Sequence, residues 1–203
     1  YRRQRQMCIR DRATTAVAPE VLHEMIPYFS KNYGNASSMY EIARISKRAM
    51  NEARAKIAHA IGASPKEIYF TSCGSESDNL AIKGIAYANK EKGKHIITSK
   101  IEHNAVLNSC ERLEEQGFEI TYLNVDQNGF VNLEELKNAI REDTILTTIM
   151  FANNEVGTIE PVEKIAEIAK NILHGFPGGK WLLFLRLIAF LIKNILLYED
   201  LDH

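Results

Sequence analysis

Between about residues 13 and 170 the chain alternates short β-type runs with helical runs, and this alternation constrains the fold more than any other feature. The β-type runs are Glu67–Thr71 (EIYFT), His95–Ser99 (HIITS), Glu119–Val125 (EITYLNV) and Thr144–Ala152 (TILTTIMFA). The apolar periodicity predicts helices over about Glu76–Asn89, Asn104–Gln116, Leu133–Arg141 and Pro161–Lys170. Strands separated by helices are joined by crossovers, so they line up in parallel with helices covering the sheet. The expected fold class is therefore α/β with a largely parallel sheet. An earlier helix is signalled by Ser38-Met39-Tyr40-Glu41, which has the form of a capping box. Ile42, Ile45, Ala49, Ala53, Ile57 and Ile61 then recur at helical spacing, and Gly62 stands where a C-terminal cap belongs. Asp126-Gln127-Asn128-Gly129 reads as a turn.

Charge and cysteine usage narrow the function classes. A formal net charge of −1 gives no electrostatic case for binding nucleic acid or an anionic membrane. Arg2, Arg3, Arg5, Arg10 and Arg12 are a local exception at the N-terminus. Cys8, Cys73 and Cys110 have no metal-ligand spacing, so no metal is expected, and their odd number fits a reducing compartment. A cytoplasmic location is the expectation, because no apolar segment of secretory type follows the N-terminal arginines. The apolar run Trp181–Leu197 is interrupted by Arg186, Lys193 and Asn194, and it is shorter than the ~20 residues of a spanning helix. It is expected to be an amphipathic helix with its polar stripe outward, not a membrane span.

Ligands of parallel α/β sheets bind beyond the carboxyl ends of the strands, so the loops there are where chemistry is expected. The first reads Thr71-Ser72-Cys73-Gly74-Ser75-Glu76-Ser77-Asp78-Asn79. Small residues, hydroxyls and a following helix N-terminus can cradle a phosphate, or Ser72 and Ser75 can simply cap the helix. The second, Ser99-Lys100-Ile101-Glu102-His103-Asn104, offers a histidine able to stack on a planar ligand or exchange protons, or a capping histidine. The third, Phe151-Ala152-Asn153-Asn154-Glu155-Val156-Gly157-Thr158, holds two amides that can orient a polar ligand or build a turn. His23, His59 and His95 are assigned no role. Cys73 is expected to be a small packing residue, and Cys110, on a helix, is no nucleophile.

Three ordered segments, FTSCGSESDNLAIKG, TSKIEHNAV and FANNEVGTIEPV, resemble the cysteine desulfurases of the iron–sulfur cluster assembly type. These belong to the class V aminotransferase-like family, fold type I of the pyridoxal-phosphate enzymes. Ala13-Thr14-Thr15 and Tyr33-Gly34-Asn35-Ala36-Ser37-Ser38 are similar to that family's N-terminal motifs. The resemblance implies that residues 13–170 form part of the large, cofactor-binding domain, with its mostly parallel sheet incomplete. It implies that Gly74 and Ser75 hold the phosphate of pyridoxal 5′-phosphate and that His103 stacks on its ring and moves protons. It further implies that Asn154 lies beside cofactor and substrate, and that Ala13, Thr14 and Thr15 lie near the substrate carboxylate. The implied reaction takes L-cysteine to L-alanine and leaves the sulfur as a persulfide on an enzyme cysteine. A homodimer and a sulfur-acceptor or scaffold protein are the implied partners.

Other groups that the resemblance calls for are missing from the 203 residues. There is no Asp-Ala-x-Gln segment for the pyridine nitrogen and no Ser-x-His-Lys segment for the Schiff-base lysine. Lys164, Lys170, Lys180 and Lys193 lack the right neighbours. The chain as written is therefore expected to be inactive, without covalent attachment of the cofactor at the usual lysine. Residues 1–12 and 171–203 depart from the family pattern and are expected to be extraneous, the first a joined-on translation and the second a shifted reading frame. A selenocysteine lyase, or another enzyme of the class, is one alternative. A non-catalytic module that binds a partner is another.

Overall fold

The computed structural model describes residues 16–173 and 182–186, which fall into two compact units divided in sequence after Phe70. Residues 1–12, and the extraneous origin expected for them, lie outside the described residues. The first unit holds α1 (Pro19–Ser30) and α2 (Glu41–Ala60). Helix α1 was not expected, although Pro19 and Glu20 in its first turn are start signals. It buries none of its residues and carries Pro27 near its end, so neither periodic burial nor composition marks it.

The capping box expected at Ser38 does not form. Tyr40 is the N-cap of α2, extended and without a side-chain cap bond. The Ser38 N–H donates to the Asn35 carbonyl at 2.9 Å, and the Ser37 N–H to Asn35 Oδ1 at 3.0 Å, so a turn uses these residues before the helix begins. The stop at Gly62 is as expected: its φ is +67°, and the Ala63 N–H reaches back to the Ala58 carbonyl at 2.8 Å.

The strand expected over Glu67–Thr71 is not present. Pro65–Glu67 is a short 3-10 turn, held by the Ser64 N–H donating to Glu67 Oε2 at 2.7 Å. Ile68 is extended, but its carbonyl accepts from Arg54 Nε at 3.2 Å, and Tyr69 is 79% exposed. Pattern can make a run extended; a strand also needs a second backbone to pair with, and none pairs here among the described residues.

The second unit contains α3 (Gly74–Asn89), β1 (His95–Ser99), α4 (Asn104–Glu114), β2 (Glu119–Leu123), α5 (Leu133–Ala139), β3 (Thr144–Met150), α6 (Val162–Leu173) and β4 (Leu182–Arg186). The strands form one parallel sheet in the order β2-β1-β3-β4. Each face has its own core. Ile96 packs with Ile82 of α3 and with Val106 and Leu113 of α4, whereas Ile97 packs with Leu136 of α5 and Ile165 of α6. Both β1 and β3 are buried along their whole length, which explains their continuous apolar character.

The helix expected over 181–197 is corrected by β4, which pairs in parallel with β3 from Leu146↔Leu182 to Met150↔Arg186. A short apolar run reads alike as a buried strand or a helix, and the open edge of β3 selects the strand. The remainder of that expectation lies outside the described residues. Among the described residues no helix is long and apolar enough to cross a membrane.

The strand order locates the crevice. The chain leaves β1 toward β2 on one side and leaves β3 toward β4 on the other. Connections that diverge from adjacent strands open a cleft at their carboxyl ends.

Candidate functional site

Helix α3 joins β1 through a short connection that reverses the chain, so its N-terminus points toward the carboxyl side of the sheet. Cys73 is its N-cap, and Gly74 and Ser75 are its first two residues, all three exposed. The donors of this loop gather on acidic atoms. Ser72 donates through both its N–H and its hydroxyl to Glu76 Oε2, each at 2.6 Å, which holds the Glu76 carboxyl below its usual range. The Cys73 thiol is likewise lowered, by the Glu76 amide first and then by the Ser72 hydroxyl and the Ser75 amide. Cys73 is therefore an exposed cap and not the packing residue expected. Just behind the loop, Thr71 and Ser77 join hydroxyls at 2.5 Å.

His103 is the N-cap of α4 and is exposed; its Nδ1 accepts the Ala105 N–H at 3.1 Å. In a neutral ring an accepting Nδ1 leaves the proton on Nε2. Capping and ligand contact are thus compatible uses of one ring, since the cap occupies a single nitrogen. Cys110, further along α4, is buried, and burial pushes its thiol up to about 12.

The two asparagines after β3 divide the roles that the sequence left open. Asn153 is buried and builds the turn: its Oδ1 accepts the N–H groups of Glu155 and Val156, each at 2.9 Å. Asn154 is half-buried in the middle of that turn. His103 and Asn154 therefore sit on the two loops that flank the β1/β3 crevice. Gly74 and Ser75 come to the same side of the sheet on α3, which packs against β3 and α4. Ala13, Thr14 and Thr15 lie outside the described residues.

Sequence reasoning missed Glu102, Asn153 as distinct from Asn154, and the anion-like role of Glu76. Glu102 is buried; its Oε1 accepts the Met150 N–H at 2.6 Å and the Ser99 hydroxyl at 3.3 Å. A signal existed for Asn153, because asparagine opening a glycine-containing turn caps the amides that follow. Glu102 had none, since its partner lies across the crevice.

Residues 9–175 match the family described as aminotransferase class-V. Over 158 residues the chain is 64% identical to cysteine desulfurase IscS of Methanosarcina thermophila, covering 78% of this chain and 39% of the relative. It is 57% identical to cysteine desulfurase IscS of Clostridium botulinum strain Hall over the same length, covering 40% of that relative. The chain thus spans about two fifths of the curated relatives it matches. Among solved structures, a NifS-like protein superposes with a TM-score of 0.80 at 42% identity, covering 86% of this chain and 47% of that one. SspA in complex with cysteine superposes with a TM-score of 0.75 at 43% identity, covering 82% of this chain and 47% of that one.

Proposed function

This chain belongs to the class-V aminotransferase family, and from that premise we propose that its residues form the front part of the pyridoxal-phosphate domain of a cysteine desulfurase. One observation carries the reading. The loop entering α3 already directs its donors at an acidic group: the Ser72 N–H and hydroxyl both reach Glu76 Oε2 at 2.6 Å, where the cofactor phosphate would sit. The residues present fit the cofactor in that respect: Gly74 and Ser75 would hold the phosphate with first-turn amides and a hydroxyl. His103 would lie against the ring with its Nε2 still free to exchange a proton, and Asn154 would orient polar groups of the cofactor and substrate. Ala13, Thr14 and Thr15 are proposed to approach the substrate carboxylate.

When bound, pyridoxal phosphate supplies an electron-accepting ring that stabilises negative charge on the substrate's α-carbon. For the whole protein we propose L-cysteine as substrate, L-alanine as product, and transfer of the sulfur to a protein thiol and on to an acceptor or scaffold protein for iron–sulfur cluster assembly. A homodimer in a reducing, cytoplasmic setting completes the proposal. SspA, a similar solved structure, is in complex with cysteine, which supports cysteine as the substrate class. The 203 residues contain neither a Ser-x-His-Lys nor an Asp-Ala-x-Gln segment. By themselves they are proposed to bind the cofactor without a covalent bond and without turnover.

Equilibrium dialysis of the 203-residue chain with pyridoxal 5′-phosphate tests this. Saturable binding that millimolar inorganic phosphate displaces is expected, together with protection of Cys73 from iodoacetamide. After borohydride treatment, mass spectrometry should find no pyridoxyl-lysine. Absence of saturable binding, or binding indifferent to phosphate, would overturn the reading.

A further inference from the structure

The loops that carry His103 and Asn154 are tied to each other by the residue immediately before each. Glu102, 5% exposed, reaches from the β1 loop and accepts the N–H of Met150, the last residue of β3, at 2.6 Å. Asn153, 9% exposed, reaches from the β3 loop and donates from Nδ2 to the Ile101 carbonyl in the β1 loop at 3.0 Å. The two ties run in opposite directions across the same crevice.

The topology explains why side chains do this work. Pairing between β1 and β3 ends at Ile97↔Thr147, so the strands part before Met150. Beyond that point the Met150 N–H has lost its ladder partner on the β1 side. A buried amide without an acceptor is costly, and so is a buried carboxylate without donors. The bond between them gives the Met150 amide its acceptor and the Glu102 carboxyl a donor. Asn153 is committed just as fully. Beyond its side-chain bonds, its own N–H donates to the Thr158 carbonyl at 2.9 Å and its carbonyl accepts from Gly157 at 2.8 Å.

We propose that Glu102 and Asn153 are positioning residues, a reciprocal clasp that fixes the His103 ring and the Asn154 amide relative to each other across the crevice. The inference rests on the cofactor reading for what the clasp positions, but not for the clasp itself. A clasp of this kind should govern how the cofactor's ring is held and leave the phosphate contacts of α3 alone.

Three variants of the 203-residue chain separate these effects. Glu102→Ala removes the acceptor, and Glu102→Gln keeps one. Asn153→Asp keeps the caps on Glu155 and Val156 but cannot donate to Ile101. Amide exchange at Met150 should accelerate at least tenfold in Glu102→Ala and return toward wild type in Glu102→Gln. The NMR signals of the His103 ring should shift in both Glu102→Ala and Asn153→Asp, and return in Glu102→Gln. Affinity for pyridoxal 5′-phosphate should fall about tenfold in the two disrupted variants, while affinity for inorganic phosphate stays unchanged. Should Glu102→Ala not fold, Asn153→Asp against Glu102→Gln makes the same comparison. The clasp is overturned if folded variants leave the His103 signals in place, or if phosphate and cofactor affinities fall together. A wild-type chain that binds no cofactor would sink the functional reading, while exchange at Met150 and the His103 signals would still decide the clasp.

Discussion

Glu102 and Glu160 are both buried carboxylates that accept a backbone amide, yet they differ in what surrounds them. Glu160 is 2% exposed; its Oε2 accepts the Val131 N–H at 3.2 Å, and its Oε1 has no hydrogen-bond partner among the described residues. Burial pushes its carboxyl up, the Val131 amide opposes this, and the nearby Asp126 charge adds to it. A carboxyl with a raised folded pKa binds its proton more tightly in the folded state. Its stabilisation is complete below the ordinary glutamate value of ~4.3 and is lost as pH rises through the folded pKa. Glu160→Gln, which cannot ionise, should therefore gain on the wild type as pH rises from about 4 to 7. Melting curves across that range check this; a difference in melting temperature that stays constant with pH would refute it. Neither glutamate was legible as buried in the sequence. Glu102 depends on a partner 48 residues away, and Glu160 on one 29 residues away, whereas local pattern carries only near-neighbour information.

Elements were legible where their signals are local. The glycine stop of α2, the buried runs of β1 and β3 and the four helices α3 to α6 follow from periodicity and caps within a few residues. Glu67–Thr71 and β4 were misread for one shared reason, that forming a strand depends on a pairing edge elsewhere in the chain. The site divides in the same way: the His103 and Asn154 loops could be found from the ends of β1 and β3, whereas the Thr71–Asn79 loop was placed after a strand that does not form, and which of two adjacent asparagines faces inward could not be read. Gly62 offers the sharpest test of a local signal. Its φ of +67° is one that a residue with a Cβ adopts at a cost, and no atom lies close enough to add a clash. Gly62→Ala should cost about 1 kcal/mol and Gly62→Asn less. Urea unfolding followed by circular dichroism reads both, and an alanine variant as stable as wild type would show that the cap contributes nothing.

Across the whole sheet, the two ends of the strands do different work. At the amino ends, Arg141 Nη1 and Nη2 donate to Glu119 at 2.6 and 2.5 Å, and Nε and Nη2 donate to Asp143 at 2.6 and 3.0 Å. The fork joins the start of β2 to the turn entering β3. Beside it, His95 at the start of β1 is buried between the Thr144 and Thr121 hydroxyls at 2.8 Å each. Arg141 and its partners remain partly exposed, so screening keeps the Glu119 pair weak and limits the Asp143 pair to about 1 kcal/mol or less. Lysine keeps the charge but not the fork. Arg141→Lys should thus lower stability by about 1 kcal/mol, and it should leave pyridoxal 5′-phosphate and phosphate affinity at the wild-type values, because the candidate site stands at the opposite ends of the same strands. Glu102→Ala differs in that cofactor affinity moves as well as stability. Measuring stability and affinity on both variants checks the division directly. If Arg141→Lys weakened cofactor binding as much as Glu102→Ala does, the sheet would be transmitting strain along its strands, and the two ends could not be treated as independent.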